Sequence, residues 1–314
     1  MLLAALLSIQ KLRTIFYTEK GRVKAADDIN LDIAEGKTVG LIGETGCGKS
    51  VLGLSILRLL PRNAGIEGKI CYKGQDILRL SGEQIRRLRG KEIALIPQSP
   101  STSLNPVLKT GVQITEALQL HQKLAREEAW KAAVEMLQSF NLPDPERRVK
   151  EYPHQLSGGM KQRILAAIGM AGKPSLIIAD EPTKGLDAII RIQVVEVLHH
   201  LTKKTGATML LITHDLKVAA GLCDEIAVMY AGEIVEHGPA EEVLGHPRHP
   251  YTMGLLASSP NNGLKPIRGC SPSLINLPAG CKFHPRCGKA REICAKKHPP
   301  LVTKNGSQVR CIFH

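Results

Sequence analysis

The sequence predicts an α/β protein with a parallel sheet, a helical insertion and a cysteine-rich tail. Three features predict it. A glycine-rich loop joins a short apolar strand to a helix. Further short apolar runs alternate with helical stretches. After about residue 245, periodicity fades while proline, glycine and cysteine accumulate.

The elements follow in order. "MLLAALLSI" runs straight into "QKLRTIFYT", lacks a basic leader and a small-residue cleavage site, and reads as a buried first strand. "TVGLIG" is a buried parallel strand feeding the glycine loop and the helix "KSVLGLSILRLL". "IEGKICYKGQDIL" holds two β-prone runs around Lys73-Gly74, a hairpin signal. "EIALIPQSP" is a strand stopped by prolines. From about 106 to 172 the pattern is helical. Ala129, Ala132, Ala133, Met136, Leu137 and Phe140 share one face there, and Trp130 is a core or groove filler. "PSLIIADEPT" and "ATMLLITHDL" are two more apolar strands, joined by a helix, "RIQVVEVLHHLTKKTG", that ends at glycine. The expected organisation is a nucleotide-binding domain over 1–245, with the helical part at about 106–172, and an extension over 246–314.

Composition narrows the class. The 314 residues suit one large α/β domain with an appendage, or two modest domains. A formal charge of +13 fits a nucleic-acid partner, an anionic membrane surface, bound nucleotide phosphates or simply a solvated basic face. No apolar run reaches the ~18 residues of a membrane span. The expected setting is the cytosol, where eight cysteines do not form a disulfide framework. Cys47, Cys71 and Cys223 are scattered, whereas Cys270, Cys281, Cys287, Cys294 and Cys311 cluster near the end.

Gly43-Glu44-Thr45-Gly46-Cys47-Gly48-Lys49-Ser50 fits the phosphate-loop pattern, and Val51 continues it into the helix. Its glycines let backbone N–H groups curl around phosphate oxygens at a helix N-terminus. Lys49 is placed to reach the β- and γ-phosphates, and the Ser50 hydroxyl to ligate Mg²⁺. The Cys47 thiol is incidental. "LIIADE" delivers Asp180 and Glu181 to a strand's C-terminal edge, where ligands of α/β sheets bind. Asp180 is assigned to Mg²⁺ through water, and Glu181 to the attacking water. His214, beyond "LLIT", is assigned to the γ-phosphate. In "LSGGMKQR", Ser157, Gly158 and Gly159 open a helix and form a second anion site. One ATP does not need two such sites in one chain, but two chains facing head to tail use each other's.

These motifs together resemble the ATPase cassette of ABC proteins, over about residues 5–245. The resemblance implies a P-loop NTPase with a RecA-like parallel core, a small antiparallel β part and a helical subdomain. It assigns Gln98 to Mg²⁺ and to the link with a membrane partner, and Asp187 to the dimer seam. "TKGLD" departs from the family's usual "TTALD" or "TSALD" at Lys184 and Gly185. Phe16 or Tyr17 stacks on adenine, and strand alternation favours Phe16. "QSPSTSLNPV", "LSGGMKQR" and "HPYTMGLL" bring the resemblance closer to the ATPase subunits of peptide and nickel importers. It implies a second cassette, identical or paralogous, two transmembrane permease subunits and a solute-binding protein. It also implies a peripheral position on the cytoplasmic face of the membrane. The alternative is a nucleic-acid- or ribosome-associated ABC ATPase. Against it, the chain has one cassette and no coiled coil, and no nucleic acid is expected. A non-hydrolysing switch is a third reading, and the presence of Glu181 and His214 opposes it.

Cys281, Cys287, Cys294 and Cys311 give C-x5-C-x6-C-x16-C. Four thiolates bind zinc or an iron–sulfur cluster. Zinc favours tight pairs, while wider spacing wraps a larger object. In the transporter group the pattern resembles a [4Fe–4S] site, with zinc and free thiols as alternatives. The tail has little apolar surface by composition, so a metal centre is expected to supply its folding energy. Cys270, His284 and His298 are not needed as ligands.

Overall fold

The computed structural model describes residues 5–259, 263–304 and 306–314; the side chains of residues 188 and 189 also lie outside the described set. The chain divides into two compact units, residues 1–79 with 211–314, and residues 80–210.

The first unit opens with two long strands, β1 (Ala5–Thr18) and β2 (Gly21–Ala34). The first four residues of the "MLLAALLSI" strand lie outside the described residues. In the antiparallel register Leu7 faces Ile33, Ile9 faces Leu31 and Leu12 faces Ile29, and all six side chains are buried. Each such side chain contributes roughly 1.5–3 kcal/mol relative to exposure. Next come β3 (Thr38–Ile42), buried at every position, and α1 (Lys49–Ile56). β4 (Ala64–Tyr72) and β5 (Gln75–Asp76) form the expected hairpin. Lys73 and Gly74 both take positive φ, as a tight two-residue turn demands. The resulting antiparallel sheet runs β2-β1-β4-β5.

The second unit begins with α2 (Gly82–Leu88), whose Ser81 and Gln84 form a capping box. β6 (Ile93–Ile96) follows, then α3 (Pro100–Ser103), α4 (Thr110–Gln122), α5 (Arg126–Ser139), α6 (Pro145–Arg148) and α7 (Gly158–Met170). On α5, Ala129, Ala133 and Leu137 are buried, with Phe140 just beyond, while Ala132 and Met136 are half-buried. The Trp130 ring fills the groove over Gly111, where an added Cβ would come within 2.9 Å of it. β7 (Leu176–Asp180) pairs in parallel with β6, from Ile93–Leu176 to Ile96–Ala179. α8 (Ala188–Thr205) ends at Gly206, which has positive φ, and β8 (Thr208–Thr213) carries the chain back to the first unit.

There, α9 (Leu216–Leu222) is capped by Asp215. β9 (Glu225–Tyr230) runs parallel to β3, and β10 (Glu233–Pro239) antiparallel to β9. After α10 (Ala240–Gly245) and α11 (Pro250–Ala257), the tail forms α12 (Glu292–Lys296), β11 (Val302–Lys304) and β12 (Ser307–Val309). β12 pairs with β10 and β11 pairs with β12, so within this unit the sheet runs β11-β12-β10-β9-β3.

As its composition promises, the tail buries few apolar side chains among the described residues, including Tyr251, Phe283, Cys294 and Val309. Tyr230, Tyr251 and Phe283 make three mutual ring contacts with centroids 4.6–5.4 Å apart. Aromatic rings bury a large area each, so these three anchor that part of the unit. Among the described residues, no helix is long and apolar enough to cross a membrane.

Candidate functional site

The phosphate loop leaves the C-terminal end of β3 and enters α1. Two glycines in it are compulsory. Gly43 has φ +154°, and an added Cβ would lie 2.2 Å from the Met229 carbonyl oxygen; at Gly48, φ +110°, it would lie 1.9 Å from the Ala25 carbonyl oxygen. The loop is therefore seated directly on β2 and β9, and the Gly232 N–H donates to the Cys47 carbonyl at 3.0 Å. The buried Lys49 ammonium donates to the carbonyls of Gly43 at 2.8 Å and Glu44 at 2.9 Å, turning a positive charge into the loop. Thr45 and Gly46 are exposed, and Ser50 and Val51 are half-buried at the start of α1. The Cys47 thiol is buried, which pushes its pKa up and keeps it protonated.

On β1, the Thr14 and Ser55 hydroxyls hydrogen-bond at 2.9 Å, so the Thr14 side of the strand faces α1. Phe16 is two residues on, hence on that side, and half-buried. Tyr17 points the other way, with the Arg22 guanidinium 5.8 Å above its ring. His214, directly after β8, is exposed.

The second unit holds the remaining residues. Gln98 is half-buried in the loop between β6 and α3. Asp180 ends β7, and Glu181 follows it, buried and with φ +48°. A left-handed backbone at a non-glycine residue costs about 1–2 kcal/mol and is concentrated at functional positions. Asp187 accepts the Ile190 N–H at 3.0 Å and so caps α8. Ser157 caps α7, accepting the Met160 N–H at 3.4 Å. Gly158 has room for a side chain, but at Gly159 a Cβ would lie 2.3 Å from the Ile190 side chain, so α7 and α8 meet there only because residue 159 is glycine.

In the first unit, Cys281, Cys287, Cys294 and Cys311 all line one cavity of about 40 Å³ with His249, Phe283 and His284. Gly280 makes the approach possible. Its φ is +65°, and an added Cβ would fall 2.3 Å from the Cys294 carbonyl, which accepts the Cys281 N–H at 2.8 Å. Burial, then the neighbouring thiols, push Cys281 up to about 11, and burial likewise raises Cys287. Among the described residues, no group of three or more His, Cys, Asp or Glu side chains is gathered tightly enough for a metal ion. Cys270 is exposed and lies outside the cavity. The His284 Nδ1–H donates to the Cys281 carbonyl at 2.9 Å, and His298 pairs with Glu233.

The family model for ABC transporters matches residues 26–184. The chain belongs to the ABC transporter family. Residues 235–294 of this ABC protein also match the oligopeptide/dipeptide transporter C-terminal region. A Brucella melitensis protein named for peptide import and ATP binding is 45% identical over 98% of this chain and 96% of its own length. The oligopeptide transport ATP-binding protein OppD of Escherichia coli is 40% identical over 98% of this chain and 93% of that protein. The fold also resembles the dimeric post-hydrolysis structure of the ATP-binding cassette MJ0796 bound to ADP and Pi. That likeness has a TM-score of 0.67 and 26% identity, and covers 74% of this chain and 98% of that one. The chain is thus an ABC-family ATPase with the cassette fold.

Sequence reasoning missed the tail residues that touch the ABC phosphate loop. Arg286 forks onto the Glu44 carboxylate at 2.8 and 2.9 Å, Ser271 donates to the same carboxylate, and the Glu44 N–H donates to the Tyr251 hydroxyl at 2.9 Å. Two signals pointed there: an acidic residue inside a glycine-rich loop, and an arginine next to a clustered cysteine. Lys282, also missed, bridges Asp27 at 3.0 Å and Glu233 at 2.9 Å.

Proposed function

We propose that this chain binds and hydrolyses ATP to drive uptake of di- or oligopeptides, with nickel or a related small solute as the narrower alternative. It works on the cytoplasmic face of the membrane with a second cassette, two transmembrane permease subunits and, through them, a solute-binding protein. The observation that carries the reading is the glycine loop closed around Lys49, in a chain similar over nearly its whole length to proteins named for peptide import and ATP binding. The cassette is residues 1–245 and the extension 246–314.

The roles follow from chemistry. Gly43 to Val51 offer backbone N–H groups and the Lys49 ammonium to the phosphates. Ser50, Gln98 and Asp180 serve Mg²⁺, Glu181 polarises the attacking water, and His214 contacts the γ-phosphate. Ser157, Gly158 and Gly159 serve the nucleotide of the facing cassette, with Asp187 at the seam. Phe16 stacks on adenine. The protein's contribution is positioning and charge stabilisation of phosphoryl transfer to water.

The four tail thiols are proposed to hold a [4Fe–4S] cluster. The support is that all four line one cavity and that thiolates suit iron–sulfur clusters. Such a cluster would tie the turn between Cys281 and Cys287, helix α12 and the Cys311 segment together. A strain lacking this gene, complemented with the wild type or Lys49→Ala, tests the function. Labelled di- and oligopeptides should enter only with the wild type. Equal uptake with both refutes the reading, and uptake of nickel alone replaces peptide with metal.

A further inference from the structure

Glu44 is the second residue of the phosphate loop, and its grip comes from the tail. The Arg286 side chain is 6% exposed, and its two terminal nitrogens meet the two Glu44 oxygens at 2.8 and 2.9 Å. The Arg286 Nε–H donates to the Arg268 carbonyl at 3.0 Å, which fixes the plane of the fork. The guanidinium lies 5.7 Å from the Tyr230 ring. Glu44 is pulled two ways. Burial favours its neutral form, but the hydrogen bonds from Arg286 and Ser271 outweigh burial and hold the carboxyl below its usual range. The main chain is held as well, because the Glu44 N–H donates to the buried Tyr251 hydroxyl. The loop residue is thus fixed through both side chain and backbone by groups more than 200 residues away in sequence.

The same arginine belongs to the cysteine lobe. Arg286 closes the short 3-10 turn His284–Arg286 and is followed directly by Cys287. Its N–H donates to the Phe283 carbonyl at 3.0 Å, and Phe283 both lines the thiol cavity and packs on Tyr230 and Tyr251. Moving Cys281 or Cys287 therefore moves the turn that carries the fork.

We propose that the extension is a clamp on the phosphate loop. Arg286 is a positioning residue that preorganises the loop at Glu44 and links ATP affinity to the state of the four-thiol cavity. A preformed loop loses less conformational freedom on binding, so breaking the clamp weakens ATP without touching the reacting atoms. A bidentate arginine–carboxylate pair is also geometrically demanding, and lysine reproduces the charge but not the fork.

The test measures ATP affinity of the full chain, purified without oxygen, by titration. Arg286→Ala and Glu44→Gln are each expected to raise the ATP Kd roughly tenfold, the scale of a lost charge-assisted pair. The double variant should be no worse than either single, and Arg286→Lys should fall between. In the assembled transporter the loss should appear in KM, with kcat kept at saturating ATP. Additive effects in the double variant, or a Kd within twofold of wild type for both singles with melting temperature preserved, overturn the clamp. The link to the cavity rests on reading the four thiols as one metal centre, and Cys287→Ser tests it. ATP affinity should fall in this variant, but not further in an Arg286→Ala background. Metal content on the same samples separates the two failures. Wild type without bound metal refutes the centre, whereas metal lost from Cys287→Ser with ATP affinity unmoved refutes the link.

Discussion

Replacing Lys282 by Met tests how the C-terminal tail is fixed to β2 and β10. The Lys282 ammonium is 7% exposed and sits 3.0 Å from Asp27 and 2.9 Å from Glu233, and it also donates to the Ala231 carbonyl. Burial on its own raises both carboxyls. The Lys282 charge on Asp27, and the His298 hydrogen bond together with Lys282 on Glu233, reverse that and hold both below the ordinary carboxylate range. Met keeps the length of the side chain but removes the charge. Breaking a buried pair costs about 3–5 kcal/mol, because the partner charge stays buried. Asp27 keeps Arg13 at 3.3 Å and Glu233 keeps His298 at 2.9 Å, so the expected loss is near the lower end, about 3 kcal/mol. The sign with pH follows from the depressed folded pKa values. The Lys282 contribution is complete above the unfolded carboxylate value of about 4 and is lost as pH falls through the lower folded values. Urea unfolding of the full chain, followed by circular dichroism, should show the variant less stable at pH 7, with the gap closing below about pH 4. A gap under about 0.5 kcal/mol at pH 7, the range of an ordinary surface substitution, or one that stays constant through the acid range, refutes the reasoning.

Other expectations concern the chemistry. Glu181→Gln should keep ATP binding and lose steady-state hydrolysis by roughly 10²-fold or more, the scale of a general base; full turnover removes the catalytic assignment. Lys49→Ala should instead raise the ATP Kd. Ser157→Arg, placed in a complex with the natural second cassette, should prevent ATP-driven closure while each monomer still binds nucleotide. Unchanged ATP-dependent dimerisation counts against the head-to-tail site. Protein prepared without oxygen should be brown with about four irons per chain, and Cys287→Ser or Cys294→Ser should bleach it. One zinc and no iron contradicts the cluster.

What the sequence revealed depended on how local each signal was. The loop around Gly43 to Ser50 and the strands Thr38–Ile42, Ile93–Ile96 and Leu176–Asp180 were legible because short apolar runs end at glycine, proline or polar residues. The Lys73-Gly74 hairpin was legible for a similar reason, since two β-prone runs meet at a glycine that takes positive φ. β2 was not, because "GRVKAADDINLDIA" mixes charges with its apolar positions and is fixed as a strand by pairing with β1. β12, three residues long, owes its conformation to β10 and β11 rather than to propensity. The four cysteines were found by count and spacing. The contacts of Arg286, Ser271 and Tyr251 with Glu44 were not, because pairing across more than 200 residues leaves no local periodicity. Nor did composition show where the few buried rings of the tail sit, because Tyr251 and Phe283 gather on Tyr230 of β9 through contacts distant in sequence.

The most direct test is peptide uptake into proteoliposomes that hold the permease subunits, the second cassette and this chain, supplied with the peptide-loaded binding protein. With wild-type chain, labelled peptide should accumulate only when Mg²⁺-ATP is on the cassette side, and the peptide-loaded binding protein should raise ATP hydrolysis. With Glu181→Gln, nucleotide should bind but neither turnover nor accumulation should follow. Accumulation that continues with Glu181→Gln, or that ignores ATP, contradicts the account of this chain as the motor of a peptide importer.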